Sequence, residues 1–209
     1  MKVLIKALFA IVGTALLISC FSANAREYKP GVDYEIKETK LTEKPEIREF
    51  FSFFCPHCYE VEQMFTPLNK EFVNKAEVVY NPVWQIGGEL GKRTQSAYAV
   101  AKKLGKENEI RALLFKRIKQ TEGHLQANDD FAYIFDIVGV NAKSYRDELK
   151  TAEVKTLISN YNQKIADYGL NSVPQIIVNG KYLINLSNVQ DQNDYKNLVS
   201  YLLSKDRIK

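Results

Sequence analysis

Apolar residues along this chain switch between a period of two and a period near 3.6, and the switches outline its elements. Tyr34 to Leu41, Ile47 to Phe54 and Glu77 to Val83 carry the β-branched and aromatic residues of strands. Between the last two of these, Cys58, Val61, Phe65 and Leu68 recur at helical spacing. Pro67 kinks or ends that segment, because it lacks the N–H that the helix ladder uses. The pattern predicts a parallel strand pair joined by a crossover helix. The next stretch is helical throughout. Its apolar positions are Ala97, Val100, Ala101 and Leu104, then Ile110, Leu114 and Ile118, then Phe131, Ile134, Phe135 and Val138. A longer helix follows through Val154, Ile158, Tyr161, Ile165 and Tyr168, with Gly169 as its stop. Gln175 to Val178, the turn pair Asn179-Gly180 and Lys181 to Ile184 read as a hairpin, and Tyr195, Leu198 and Leu202 as the inward face of a final helix. The order is β-α-β, a helical insertion, then β-β-α. No repeat, low-complexity tract or Gly/Ser linker interrupts it.

Residues 1–25 have the organisation of a secretory leader: Lys2 and Lys6, an apolar core from Ala7 to Ile18, and the small-residue cleavage pattern Ala23-Asn24-Ala25. The apolar run is shorter than the roughly 20 residues that cross a bilayer. Leu17-Ile18-Ser19-Cys20 also matches a lipoprotein cleavage pattern, which would remove residues 1–19 and leave Cys20 lipidated at the new N-terminus. Soluble and lipid-anchored forms both stand as readings, and either places the mature chain outside the reducing cytosol, where disulfides persist. Roughly 180 residues remain after cleavage, enough for one well-buried core. The formal charge of +4 falls to +2 once Lys2 and Lys6 are gone, and basic residues alternate with acids from Glu107 to Lys119. That balance excludes a nucleic-acid binder and reads as a solvated helical face.

The chemistry gathers at Cys55-Pro56-His57-Cys58, where a strand meets a helix. A thiolate at a helix N-terminus faces unsatisfied N–H groups and the positive end of the helix dipole, which lowers its pKa. Pro56 suits the first helical position, and His57 adds a donor or positive charge beside the sulfur. Helical spacing puts Cys55 at the exposed end as nucleophile and Cys58 beneath it as the covered resolving thiol. A zinc site competes for the same motif, but its other ligands would have to come from Cys20, His57 and His124. His124, in a polar stretch, reads as an exposed loop residue. A structural disulfide also competes, yet closing so short a loop restricts the unfolded chain little. Redox cycling is the favoured reading, and no metal or organic cofactor is called for.

The segment from Glu49 to Glu62, EFFSFFCPHCYEVE, resembles the active-site stretch of the DsbA family of bacterial thiol:disulfide oxidoreductases. Val83 to Gly91 and Ser172 to Tyr182 resemble two further family segments in the same order. The resemblance covers nearly all of the chain after about residue 30 and implies an α/β thioredoxin fold with an inserted all-helical subdomain. On that reading 26–86 and 165–209 form the thioredoxin-like domain and 87–164 the insertion. It further implies that Val173-Pro174 is a cis-proline loop packed on the active site, with the Val173 backbone offered to an extended substrate. Glu49, which alternates with Phe51 and Phe53 on one strand face, becomes a buried acid that helps move the Cys58 proton; the alternative is a solvated strand-end glutamate. The implied activity is donation of the Cys55–Cys58 disulfide to reduced, newly exported polypeptides in the periplasm. Re-oxidation would come from a quinone-linked membrane partner of the DsbB type, and the chain would act as a monomer.

Glu60 departs from the family, some members of which carry Gln there, and Trp84 has no role legible in the sequence. Two related activities are disfavoured. An isomerase would be expected to carry an N-terminal dimerisation domain, and a reductase a different dipeptide between the cysteines. A peptide-binding chaperone that keeps the disulfide only for stability is the alternative from another class.

Overall fold

The structure, a computed structural model, describes residues 26–125 and 129–206. The leader and Cys20 lie outside the described residues. Strands β1 (Tyr34–Ile36), β2 (Glu46–Phe51), β3 (Glu77–Pro82), β4 (Gln175–Val178) and β5 (Tyr182–Ile184) make one sheet in the order β1-β5-β4-β2-β3. β2 and β3 pair in parallel, while β2–β4, β4–β5 and β1–β5 are antiparallel. Helices α1 (Pro56–Met64) and α2 (Thr66–Asn69) connect β2 to β3. Between β3 and β4 lie α3 (Gly88–Lys103), α4 (Glu107–Gln120), α5 (Asp129–Ile137), α6 (Ala142–Glu148) and α7 (Ala152–Asp167), and α8 (Gln192–Ser204) closes the described chain.

Two strands are shorter than their apolar patterns. β1 ends at Ile36 because the chain then wraps over the β4–β5 turn: Lys37 N–H donates to Lys181 O, the Thr39 hydroxyl to Gly180 O and Thr42 N–H to Asn179 O. β2 ends at Phe51 because Ser52 starts a turn, its hydroxyl oxygen accepting from Phe54 N–H and its carbonyl from Cys55 N–H. Phe53 and Phe54 therefore belong to the approach to α1, not to the strand. At Pro67 the expected break occurs. α1 ends at Met64, Phe65 caps it, and α2 restarts with Pro67 in its first turn, where a missing N–H costs nothing. The Asn179-Gly180 turn has both residues at positive φ, +53° and +70°, the geometry that matches the twist of a tight hairpin.

The sheet buries both faces. Ile47, Ile176, Val178 and Tyr182 pack against Val61 of α1, its cap Phe65, and Tyr195, Leu198 and Leu202 of α8. On the opposite face, Phe50 and Ile177 meet Ile165 and Tyr168. A third core joins Phe51, Phe53 and both cysteines to Ala97, Leu114, Phe115, Phe135, Val154 and Tyr161 of the inserted helices. Helix α7 serves two cores, since its Tyr161 turn lies with the insertion and its Ile165 turn with the sheet.

Candidate active site

Cys55 is the N-cap of α1. Its backbone is extended, Pro56 opens the helix, and its Sγ accepts from Cys58 N–H at 3.4 Å. The orphan amides of a helix start are thus directed at a sulfur. Cys58, one turn on, is fully buried, and its Sγ accepts from Ser52 N–H at 3.5 Å. Both cysteines are free thiols. Cys55 is held down to about 6, first by the hydrogen bond from the Cys58 thiol, against the opposing effect of burial, and then by the amides of Cys58 and His57 and the His57 charge. The Cys58 thiol moves the other way, because it donates that hydrogen bond and is itself desolvated, with Glu49 adding a repulsive charge. One sulfur is prepared to carry charge and the other to keep its proton.

The expectation that Cys55 is exposed needs correction. Its residue is 8% exposed, because Phe53, Phe54 and Pro56 surround it and Val173 O lies 3.6 Å from its Sγ. It reaches solvent through a groove of about 770 Å³ lined by Phe54, Tyr59 and Met64 on one side and Phe115 and Ile118 on the other. His57 is exposed beside it, as is Glu60. The Val173-Pro174 peptide bond is cis, and this loop faces Cys55.

Glu49 is 1% exposed and its Oε2 has no hydrogen-bond partner among the described residues. Burial raises it to about 8, with Arg111 and a nearby Thr66 hydroxyl pulling it down and Glu62 pushing it up. A solvated strand-end glutamate does not fit this position.

Glu62 and Arg111 were not legible as site residues. The alternating charges of Glu107 to Lys119 suggested a solvated face, but Arg111 is only 2% exposed. The signal was available: Arg111 shares the register of Ile110, Leu114, Phe115 and Ile118, so it occupies a core position of α4. His124 is exposed. Trp84 is half-buried in the loop before α3, with Lys92 Nζ 5.4 Å from its ring.

A central strand that delivers a Cys-X-X-Cys pair to a helix N-terminus, opposite a cis-proline that opens an antiparallel strand, defines a thioredoxin-fold thiol–disulfide protein. Five helices inserted between β3 and β4 narrow the class. The family model of the DSBA-like thioredoxin domain matches residues 46–202, and the chain belongs to that family. It is 32% identical over 206 residues to the thiol:disulfide interchange protein DsbA of Pectobacterium carotovorum subsp. carotovorum, covering 94% of this chain and 97% of that protein. The Yersinia pestis protein of the same name is 30% identical over 205 residues, with 94% and 97% covered. Among solved structures, DsbA from Klebsiella pneumoniae superposes with a TM-score of 0.77 at 27% identity, covering 87% of this chain and 100% of that one. A Proteus mirabilis DsbA variant with the non-covalently bound peptide PWATCDS gives 0.74 at 28%, covering 86% and 100%.

Proposed function

We propose that this chain is a periplasmic thiol:disulfide oxidoreductase that passes its Cys55–Cys58 disulfide to reduced, newly exported polypeptides. The observation that carries this reading is the opposed pair of sulfurs: a Cys55 held near 6 at the helix start above a Cys58 pushed upward. Whatever stabilises the Cys55 thiolate stabilises the reduced protein, and so makes the disulfide the stronger oxidant. It also makes Cys55 the better leaving group.

A substrate thiolate attacks Cys55 Sγ and forms a mixed disulfide. The Cys55–Cys58 bond breaks, its electron pair goes to Cys58 Sγ, and Cys58 takes a proton for which Glu49 is the nearby carboxyl source. A second substrate thiolate then attacks the substrate sulfur and expels Cys55 as thiolate. Two electrons have moved from the substrate dithiol to the protein. Pro56 sets the helix start, and His57 supports the departing thiolate. Val173 and Pro174 hold an extended peptide beside Cys55; a Proteus mirabilis relative is known with a non-covalently bound peptide. A quinone-linked membrane oxidase of the DsbB type then takes these two electrons from the Cys55–Cys58 dithiol and restores the disulfide. Residues 26–86 and 165–209 carry the chemistry, and 87–164 shape its surroundings.

No helix among the described residues is long and apolar enough to cross a membrane. Mass spectrometry of the mature N-terminus distinguishes the two processing routes: Arg26 means cleavage after Ala25, and an acylated Cys20 means a lipid anchor.

The deciding experiment is the glutathione redox equilibrium of the mature protein. A potential above about −180 mV supports a disulfide donor, and one near −270 mV points to a reductase. Cys55→Ser abolishes dithiol oxidation on this reading. A variant that still oxidises peptides would overturn it, and a wild-type protein that holds peptides without oxidising them would favour the chaperone.

A further inference from the structure

Beneath the dithiol, three ionisable side chains share one buried compartment, and their charges do not balance. Glu49 rises from β2, Glu62 from α1 and Arg111 from α4, and all three are buried. Arg111 Nε lies 3.0 Å from Glu62 Oε2, and the guanidinium stacks 3.5 Å from the Tyr80 ring centre. Tyr80 is the register partner of Glu49 across the β2–β3 pair, so the stack brings the guanidinium over Glu49's own place on the sheet. One cation cannot compensate two carboxylates at low dielectric, and one acid must hold a proton. Glu62 takes the guanidinium contact and a hydrogen bond from the Thr66 hydroxyl at 3.1 Å. Among the described residues Glu49 Oε2 and Arg111 Nη1 have no hydrogen-bond partner, and Arg111 Nε meets Glu62 as an ion pair without a directed hydrogen bond. Groups left unsatisfied in this way are costly as structure alone.

We infer that Arg111 is a positioning residue for the dithiol: reaching in from the helical insertion, it sets the charge of the Glu49–Glu62 pair and so governs the proton step at Cys58. This rests on the oxidoreductase reading only for the identity of the substrate. The groups around the pair are Cys58 on α1, Thr66 on α2, Tyr80 on β3 and Tyr195 on α8, with Tyr98 on α3 beside Arg111. None of these carries a second permanent positive charge, so the compartment depends on one arginine. Removing it leaves both acids facing apolar neighbours, and Glu49 then holds its proton more tightly.

The test uses the oxidised full-length mature protein, in which neither cysteine titrates, with Glu49 followed by carboxyl carbon NMR. Arg111→Met raises the Glu49 midpoint by about 1–3 pH units, the usual influence of an adjacent arginine on a carboxyl group. Glu62→Gln lowers it, since it removes the like charge and frees the guanidinium, while Arg111→Lys stays near the wild-type value. The second readout is the rate at which reduced glutathione opens the disulfide, corrected for the glutathione thiolate fraction. Here the glutathione sulfur bonds to Cys55, the S–S pair passes to Cys58, and Glu49 gives up its proton. The falling limb of that rate moves with the Glu49 midpoint in each variant. A folded Arg111→Met protein whose midpoint or limb stays in place overturns the inference and leaves Arg111 a structural ion pair. If Arg111→Met does not fold, Glu62→Gln decides alone, and an unmoved midpoint is again the negative result. A thioredoxin-like potential in the wild type would instead overturn the donor reading, without affecting the comparison among variants.

Discussion

Cys55 and Glu49 leave their ordinary pKa values in opposite directions, and each writes its own signature on folding stability. A thiol lowered to about 6 in the folded reduced protein titrates near 8.5 in the unfolded chain. Its contribution is fully present above the unfolded value and is lost as pH falls through 6. The oxidised protein has no such thiol. We therefore expect the stability of the reduced form to gain on that of the oxidised form between pH 6 and 8.5, measured by paired urea titrations. A constant difference would contradict the lowered pKa. Glu49 behaves oppositely, since its folded value is raised to about 8. The stability it allows at pH 4 declines as pH rises to 8, in both redox forms alike. Glu49→Gln should flatten that decline and stabilise the protein at pH 8 by about 1–4 kcal/mol, as replacement of poorly compensated buried charge commonly does. The same substitution should slow disulfide opening, so stability and rate would separate at one residue.

At the level of elements, the loop from β3 into α3 sets the wall of the site. A Cβ added at Gly91 would lie 2.3 Å from Trp84 O and 2.5 Å from Ile86 O, which are backbone atoms with no easy retreat. Ile86 O is also the acceptor of the Ser52 hydroxyl, so the loop is tied to the turn that presents Cys55. Gly91→Ala is expected to cost about 1–3 kcal/mol and to lower Tm by roughly 3–10 °C by calorimetry. This crowding was invisible in the sequence, where the Gly87-Gly88 pair and Gly91 read only as a family-like segment. What the sequence did disclose was local: the Cys55 cap, Pro56 at the helix start, the break at Pro67 and the hairpin turn all follow from chemistry within a few residues. Strands β1 and β2 fall short of their apolar patterns, because hydrogen bonds from Thr39 and within the Ser52 turn outcompete a β-prone composition. The inward place of Arg111 is obscured for a related reason. The alternating charges of α4 mask its helical register, in which Arg111 falls with Ile110, Leu114, Phe115 and Ile118.

In the whole molecule, distant parts of the chain meet through buried polar side chains that a linear reading treats as turn residues. Asn179 is fully buried. Its Oδ1 accepts from Glu46 N–H at 3.3 Å, and its Nδ2 donates to Leu202 O at 3.0 Å and Leu203 O at 3.1 Å. One turn asparagine thus fastens the hairpin, the central strand and the end of α8 together. Asn179→Ala should cost about 2–4 kcal/mol through lost hydrogen bonds and a positive φ, and Asn179→Gly about 1 kcal/mol less, by chemical denaturation. Equal losses would mean that the backbone conformation contributes nothing. At the opposite end, Arg26 pairs with both Asp33 and Asp194, and Tyr28 donates to Asp194, which ties the first described residues to α8. The differing access of the two sulfurs has a practical corollary. Cys55 meets solvent through its groove and Cys58 not at all. In a brief pulse of a small alkylating agent, a folded reduced molecule should gain one adduct at this pair, an unfolded molecule two, and an oxidised molecule none. Intact mass then becomes a three-level counter that reads oxidation and folding in the same spectrum, molecule by molecule.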